Sequence, residues 1–206
     1  SGSYISEGIT DINNLAVIYG TENGMWVPGT DNYKGVMSAP RDFSGYRTGT
    51  NAIVFSPQGG LRISAKELAR IMILHMNNGK YNGERIVSGK SIRLMHRAHF
   101  ISTNANSDDE GVRRGNRGLS VQILPSAAAG GILPKRSHFL GHSGSAYGLQ
   151  SAFYFDPKEK YGFIFIVNGI FDGPKAGPSG AFYTFEEALI NALRENNLLP
   201  CKKIRR

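Results

Sequence analysis

The chain has 206 residues, a length typical of one domain. Apolar residues make up 40% of it and charged residues 19%, an ordinary globular composition that excludes a mainly disordered chain. No apolar run approaches the roughly 18 residues of a membrane-spanning helix, and residues 1–8 lack the pattern of a secretory signal peptide. We therefore expect a single domain over residues 1–206 without a membrane span.

The net charge is +8, from 24 basic and 16 acidic residues. Half of this excess lies in a basic tail at residues 200–206, and the remainder is spread thinly. Nucleic-acid-binding proteins usually gather their charge on one face or stripe, so we expect no nucleic-acid partner. Electrostatic binding of the tail to nucleic acid or to an anionic membrane is the alternative.

The first predicted element is a β-hairpin. Leu15–Tyr19 and Met25–Val27 are short apolar runs, and Asn23-Gly24 between them is typical of a hairpin turn. Residues 29–50 are polar and rich in glycine, which predicts an irregular segment. A loop of that length indicates either a functional segment or an element that the pattern hides.

Two helices follow. Ser64 and Glu67 fit the capping box of a helix with roughly three turns of apolar spacing, and Gly79 suits its left-handed stop. Ser88 can cap a second, shorter helix. The polar and charged residues 101–118 predict a surface loop.

Metal ligands are scarce. Cys201 is the only cysteine, which excludes an internal disulfide and a cysteine-rich metal site. His96 and His99 could share one helix face, but no carboxylate or third ligand adjoins them. His75 lies in the apolar stripe of the first helix and is interpreted as a core or boundary residue. We therefore predict no metal and no organic cofactor.

The C-terminal half predicts a sheet. Leu119, Val121 and Ile123 alternate with polar residues, as in a half-buried strand. The further strand candidates are His138–Ala146, Leu149–Phe155 and Tyr161–Val167, with a loop of small residues at 127–131. The last of these strands is apolar on both faces and is expected to be buried. Because short turns join successive strands, the neighbours should be antiparallel.

A closing helix is predicted to lie flat on this sheet. Thr184 and Glu187 form a second capping box. The expected apolar stripe comprises Phe185, Ala188, Leu189, Ala192 and Leu193. The fold class is thus α/β of the α+β type, with an antiparallel sheet and flanking helices.

Gly141–Ser145 is the stretch of the chain whose residues could take part in catalysis or substrate binding. A nucleophile elbow around Ser143 is disfavoured, because Ser145 replaces the final glycine and a strand, not a helix, follows. Alternatively, the small residues let a substrate approach a strand that lines a groove. A backbone N–H there could face a developing oxyanion, and His142 would offer a hydrogen-bond donor or a proton for transfer. The structural alternative is a glycine-tolerant strand with a hydrogen-bonded histidine.

Four segments occur in a familiar order: Gly59–Arg70, Gly83–Ser88, Gly118-Leu119 and the triplet His142-Ser143-Gly144, before paired strands that end at Asn168-Gly169. Together they resemble the serine β-lactamase-like hydrolases. That family includes class C β-lactamases, D-alanyl-D-alanine carboxypeptidases, D-aminopeptidases and related esterases. The resemblance covers most of residues 56–169 and the final helix, and implies the C-terminal part of a β-lactamase/transpeptidase-like fold.

The resemblance implies site roles for the strand that bears the triplet. In the family this strand borders the active site, where the position of His142 helps to hold the substrate carboxylate and supports proton transfer. The backbone N–H of Ser145 would complete the oxyanion hole. Ser143 and Gly144 would contact or admit the substrate. His142 and Ser145 are therefore the catalytic candidates, and Ser143 and Gly144 the substrate-binding ones.

The chain departs from the family at its nucleophile. No serine is followed three residues later by lysine, and Tyr4-Ile5-Ser6 fits the family's tyrosine motif without the helix that should follow. The resemblance therefore implies the C-terminal part of a serine hydrolase that acts through an acyl-enzyme on a peptide, β-lactam or ester. Without the nucleophile, which a missing N-terminal part would supply, this chain alone is predicted to be inactive.

Two further expectations follow. The family's enzymes are commonly periplasmic or extracellular, with a small-molecule or peptide substrate. An exposed sheet edge predicts self-association or pairing with the missing N-terminal part. The alternative function is a non-catalytic binding module that retains half of the fold and binds a peptide, glycan or partner beside His142.

Overall fold

A computed structural model describes most of the chain in two compact units. The described residues are 2–4, 8–37, 39–40, 42–50, 59–103, 115–125, 132–133 and 138–199. The first unit comprises residues 1–68, 144–151 and 166–172, and the second 69–143, 152–165 and 173–206. The predicted loop at 127–131, most of the loop at 101–118 and the basic tail lie outside the described residues.

The predicted hairpin lies in the first unit. Strand β1 (Tyr19–Glu22) pairs antiparallel with β2 (Met25–Pro28). Asn23 and Gly24 have φ values of 50° and 72°, as a type I′ turn requires. The predicted strand start at Leu15 is wrong, because the register with β2 ends at Tyr19, opposite Pro28. A short 3-10 helix at Ile12–Asn14 precedes residues 15–18.

The segment after β2 is irregular in its described residues, as predicted, and an ion pair fixes it. Arg62 donates to Asp31 through Nη2 at 2.8 Å and through Nε at 3.1 Å. The Asp31 side chain is only 6% exposed, and Arg62 Nη1 also donates to the carbonyl of Gly60. A bidentate pair sets both distance and orientation, so it ties the loop at residue 31 to the chain just before the first helix.

Both predicted helices begin at their predicted caps. Helix α1 (Ala65–Met76) follows Ser64, whose Oγ accepts a hydrogen bond from the Glu67 N–H at 3.1 Å. Helix α2 (Gly89–His96) follows Ser88, whose Oγ accepts from the N–H three residues on at 3.0 Å. Each cap satisfies one backbone donor that the first helical turn leaves without an intrahelical partner.

A second, shorter hairpin separates the two helices and was not predicted. It consists of β3 (Lys80–Tyr81) and β4 (Glu84–Arg85), which pair antiparallel. Asn82 and Gly83 form its turn with φ values of 50° and 85°. The Asn-Gly dipeptide was the available signal, but strands of two residues are too short to show an alternating pattern.

The remaining strands form a five-stranded sheet in the order β5-β6-β7-β8-β9. They are β5 (Asn116–Arg117), β6 (Gln122–Pro125), β7 (His138–Ala146), β8 (Leu149–Asp156) and β9 (Tyr161–Val167). β6 pairs antiparallel with both β5 and β7. The two-residue connection between β7 and β8 also requires an antiparallel pair. The predicted antiparallel sheet with flanking helices is confirmed.

Two predictions at the start of the sheet are wrong. β6 begins at Gln122 rather than Leu119, because Ser120 takes a φ of 59° and turns the chain before the strand. Residues 121–124 are all buried, so the expected alternation of buried and exposed positions is absent there. Asn116–Arg117, predicted as loop, becomes a strand because β6 lies beside it.

Strand β9 has the predicted bounds but not the predicted burial. Phe163 is buried, whereas Ile166 is 38% exposed. β9 is the last strand in the sheet order, so fewer neighbouring side chains cover its faces than cover those of a central strand. The prediction that both faces of β9 are buried is therefore wrong, although both carry apolar side chains.

Helix α3 (Thr184–Glu195) begins one residue away from its predicted cap. The Glu186 carboxylate accepts from the backbone N–H of Tyr183, the N-cap residue, at 2.9 Å. The predicted pair of Thr184 and Glu187 is wrong, because Glu187 Oε1 accepts instead from the N–H of Ser179 at 2.9 Å. Glu187 thus fixes the loop before the helix rather than the helix cap.

The buried face of α3 also differs from the prediction. Ile190 is fully buried, while Leu189 is 39% exposed and Ala188 and Ala192 are exposed as well. Ile190 belongs to the main core of the second unit, where it joins residues of the sheet: Leu124, Phe139, Ala152, Tyr154 and Phe163. The helix therefore covers the sheet, as expected, through a face rotated from the predicted stripe.

Candidate functional site

The triplet His142-Ser143-Gly144 lies within β7, which has the predicted bounds. After β7, Tyr147 and Gly148 form a turn with φ values of 56° and 101°, and β8 follows. A nucleophile elbow needs a strand, a sharp turn at the serine and then a helix. Ser143 is therefore not held as an elbow nucleophile.

The pairing of β7 with β6 ends just before the triplet begins. Among the described residues, the β6 register ends with Gln122 opposite Gly141. The next five residues, His142–Ala146, extend β7 beyond β6. Backbone groups past the end of a neighbouring strand lack that strand's hydrogen bonds, and such an edge can receive an extended ligand.

Two glycines of β7 stand close to β8. A Cβ on Gly141 would lie 1.9 Å from the carbonyl oxygen of Phe153, and a Cβ on Gly144 would lie 2.5 Å from Ser151 Oγ. The first clash involves backbone and cannot be relieved by rotating a side chain, whereas the second can. The sheet itself therefore requires Gly141, whereas a side chain at position 144 would require only a small movement of Ser151.

His142 carries an exposed imidazole with a defined hydrogen bond. Its Nδ1 lies 2.6 Å from the backbone oxygen of Ser143. A carbonyl only accepts, so Nδ1 is the protonated nitrogen and Nε2 is the acceptor nitrogen of the neutral ring. The ring can therefore receive a proton at Nε2, or hold an anion once it is protonated.

Ser145 is oriented by a buried amide. Gln150 is 3% exposed, and its Nε2 donates to Ser145 Oγ at 2.7 Å. Since Oγ accepts this bond, the hydroxyl proton of Ser145 is directed elsewhere. The Gln150 Oε1 atom is buried and has no hydrogen-bond partner within the described residues.

The residues of this strand lie within a segment that resembles a known protein family. A family model described as Beta-lactamase matches residues 14–181, well over half of the chain. The chain belongs to the β-lactamase family. A comparison with curated proteins gave no match. Membership gives the chain a serine hydrolase-like fold and points to hydrolase activity in general.

The four candidate site residues of this β-lactamase-family chain are consecutive along one strand. His142 and Ser145 are exposed, and Ser143 and Gly144 are half-buried. Side chains alternate along a strand, so His142 and Gly144 lie on one face of β7 and the two serine side chains on the other. Their catalytic and substrate-binding roles stay predictions.

Gln150 is the site residue that sequence reasoning missed. In β8 it lies between Leu149 and Ser151, and a polar residue in such a mixed pattern can be either buried or exposed. Its contact with Ser145 depends on the tight turn at Tyr147-Gly148, which brings residues five apart in sequence together. A glutamine next to a hairpin turn was the only signal.

The two histidines considered as metal ligands have different hydrogen-bond partners. His96 Nε2 lies 3.0 Å from His75 Nδ1, whereas His99 Nε2 lies 2.8 Å from the carbonyl oxygen of Leu94. Burial lowers the pKa of His75. Burial and the neighbouring His75 lower the pKa of His96 to about 4. In the described part of the chain, no three His, Cys, Asp or Glu side chains gather closely enough to hold a metal ion.

His75 is half-buried against Phe155, at a ring-centroid distance of 5.6 Å, which confirms its interpretation as a boundary residue. Tyr4, the formal match to the tyrosine motif, is 48% exposed, and the two residues after it lie outside the described residues. None of the helices described combines the length and apolarity needed to cross a membrane.

Proposed function

We propose that the chain is the C-terminal part of a serine hydrolase that forms an acyl-enzyme on a peptide, β-lactam or ester substrate. The observation that carries this proposal is the extension of β7 past β6 from His142 onward. In that extension, small side chains and an exposed imidazole lie in one stretch of five residues, whose edge on the β6 side pairs with no strand in the described part of the chain.

The oxyanion is the charge that this strand would stabilise. A substrate carbonyl that lies along the extended part of β7 would accept a hydrogen bond from the Ser145 backbone N–H. A preorganised donor at that point lowers the energy of the tetrahedral intermediate more than that of the substrate. Gly144 would allow the substrate backbone to approach the strand closely.

His142 would serve the substrate on the same face as Gly144. In its neutral form, Nε2 can take a proton, and in its protonated form the ring can hold a substrate carboxylate. The Nδ1 hydrogen bond to Ser143 fixes the ring orientation for either role. A positioned histidine of this kind contributes to proton transfer without acting as the nucleophile.

The nucleophile would come from polypeptide outside this sequence. No serine of the chain has a lysine three residues later, so the chain lacks the pair that activates the attacking hydroxyl in this family. An unactivated serine is a weak nucleophile. We therefore propose residues 1–206 as the C-terminal portion of a larger β-lactamase-like domain, inactive by itself.

Mass spectrometry with a covalent fluorophosphonate or β-lactam probe tests this proposal. The 206-residue chain should remain unlabelled, and a polypeptide extended at the N-terminus by its natural upstream sequence should be labelled at a serine before Ser1. Labelling of Ser143 in the present chain would overturn the assignment. An upstream sequence without a Ser-x-x-Lys motif would instead favour a non-catalytic binding module.

A further inference from the structure

The outer side of helix α2 carries three cations and one leucine, and we call this surface the basic face: Lys90, Arg93, Leu94 and Arg97. All four residues are exposed, Leu94 to 44%. Ile92, which is 3% exposed, marks the buried side of the helix. At about 100° per residue, the four side chains lie roughly 100–160° around the helix from Ile92. They therefore point away from the core together.

No acidic residue of the helix neutralises the basic face. The eight residues of α2 include neither Asp nor Glu. In the described part of the chain, Lys90, Arg93 and Arg97 form no ion pair with an acidic side chain. Their three positive charges are therefore available to an anionic partner.

The placement of these charges is unfavourable for the helix itself. Lys90 lies in the first turn, where the positive end of the helix dipole repels a cation. Arg93 follows Lys90 at a spacing of three residues, and Arg97 follows Arg93 at a spacing of four. Like charges at these spacings repel each other on a helix surface, and helix stability alone would favour acidic residues at some of them. The basic face is therefore better explained by binding than by folding.

We propose that the basic face binds the surface of a membrane that contains anionic lipids. Lys and Arg side chains near such a surface are attracted by the negative charge of the headgroups. Leu94 beside them can enter the boundary between headgroups and acyl chains, as the apolar side chains of interfacial helices do. Binding of this kind takes place along the membrane surface and requires no membrane-spanning helix.

Exposed aliphatic residues favour lipid over nucleic acid as the partner. Ile86 is 60% exposed and lies two residues before Ser88, the N-cap of α2. The phosphates of a nucleic acid would attract the same cations, but an aliphatic side chain gains little from a phosphate backbone. Leu94 in the basic face and Ile86 close to it can instead bury apolar area in a bilayer.

Vesicle sedimentation with the 206-residue chain tests the proposal. The vesicles consist of phosphatidylcholine alone, or of phosphatidylcholine with roughly 30% phosphatidylglycerol. At low ionic strength we expect the affinity for the anionic vesicles to be at least about tenfold higher, and to fall as salt screens the charges. The basic tail at residues 200–206 would add to this difference, so variants must distinguish the two surfaces.

Charge removal from the basic face should matter more than equal charge removal elsewhere. Arg93→Gln/Arg97→Gln should weaken binding to the anionic vesicles by about 10- to 30-fold. Lys158→Gln/Lys175→Gln, at exposed residues of the same unit, is the matched control and should weaken it by less than about threefold. Circular dichroism verifies that each variant is folded. Equal losses in the two double variants would assign binding to net charge alone and overturn the proposal.

Lys90→Gln separates binding from folding. Because this substitution removes the unfavourable cation of the first turn, thermal unfolding should show an equal or higher stability. The affinity for the anionic vesicles should nevertheless fall by about fivefold. An unchanged vesicle affinity would contradict a role of the basic face in binding.

Leu94→Gln distinguishes a lipid surface from a nucleic acid, because it keeps the charge of the basic face. It should weaken vesicle binding by about fivefold and leave the affinity for a double-stranded DNA oligonucleotide unchanged. If vesicle binding is insensitive to Leu94→Gln, the proposal is wrong. It is also wrong if the oligonucleotide displaces the unmodified chain from the anionic vesicles at equal phosphate concentration, since the basic face would then prefer nucleic acid.

Discussion

Gln150 Nε2 donates a hydrogen bond to Ser145 Oγ at 2.7 Å, while Gln150 Oε1 is buried without a partner among the described residues. A second buried glutamine offers a contrast. Gln122 is 6% exposed, and its Oε1 accepts a hydrogen bond from the hydroxyl of the fully buried Tyr154. The two amides are similarly buried but differ in how their oxygens are satisfied.

This difference predicts that the free energy of unfolding depends more strongly on the amide of Gln122 than on that of Gln150. Gln122→Leu should lower the free energy of unfolding by about 1–3 kcal/mol, because Tyr154 would lose a buried partner. Gln150→Leu should change it by less than about 1 kcal/mol, since it also removes a buried oxygen that has no partner. Urea unfolding of both variants measures the contrast. Equal losses of stability would show that Gln150 Oε1 is satisfied in solution.

If Ser145 provides the oxyanion donor, Gln150 is a positioning residue for it. In the extended, active polypeptide, Gln150→Leu should then lower kcat by about tenfold and leave KM nearly unchanged, because a transition-state contact is weakened. Gln122→Leu is the matched control and should lower stability without this change in kcat. A rise in KM at constant kcat would assign Gln150 to substrate binding instead.

The contact between His75 and His96 predicts a dependence of stability on pH. Burial lowers the pKa of both, and that of His96 to about 4, so the folded state favours the neutral rings relative to the unfolded chain. The stability that they contribute is present above pH 6.5 and is lost as the pH falls towards 4. Between pH 7 and pH 5 the loss from His96 should be about 1 kcal/mol, given its partial solvent exposure.

Urea unfolding at several pH values tests this expectation. His96→Gln removes the group with the lower pKa and should flatten the fall in stability between pH 7 and pH 5. His99→Gln, at an exposed imidazole, is the matched control. If His96→Gln and the unmodified chain lose stability in parallel, other groups cause the acid sensitivity.

The ion pair of Arg62 and Asp31 should stabilise the loop that precedes α1. Asp31→Asn keeps the shape of the side chain but removes its charge, and we expect the free energy of unfolding to fall by about 1.5–3 kcal/mol, the usual value of a hydrogen bond to a charged partner. Asp172→Asn, at an exposed residue of the same unit, should have almost no effect. Thermal unfolding that ranks the two variants equally would contradict this assignment.

The two close glycines of β7 should respond differently to alanine. Gly141→Ala should lower the free energy of unfolding by about 3 kcal/mol, because its Cβ would meet the Phe153 backbone. Gly144→Ala should cost less than about 1 kcal/mol, because Ser151 Oγ can rotate away. Gly20→Ala, which meets no atom within 4 Å, is the control. Equal destabilisation by the two β7 variants would show that the strand cannot adjust at Gly144.

Local chemistry explains the parts of the fold that the sequence determined. Ser64 and Ser88 cap their helices through backbone groups three residues away, and Asn23-Gly24 sets the β1–β2 turn through its own φ values. These interactions span only a few residues, so the pattern in the chain is sufficient to predict them. The order of the family segments is likewise a property of the sequence alone.

Only the tertiary structure decided the features that depend on distant partners. Asn116–Arg117 is a strand because β6 lies beside it. Ile190 of α3 is buried because it packs against the residues of the main core. His75 and His96 lie in different helices, and no local sequence pattern predicts their contact. Burial and pairing depend on what the rest of the chain places alongside a residue, and that information is not contained in any short stretch of sequence.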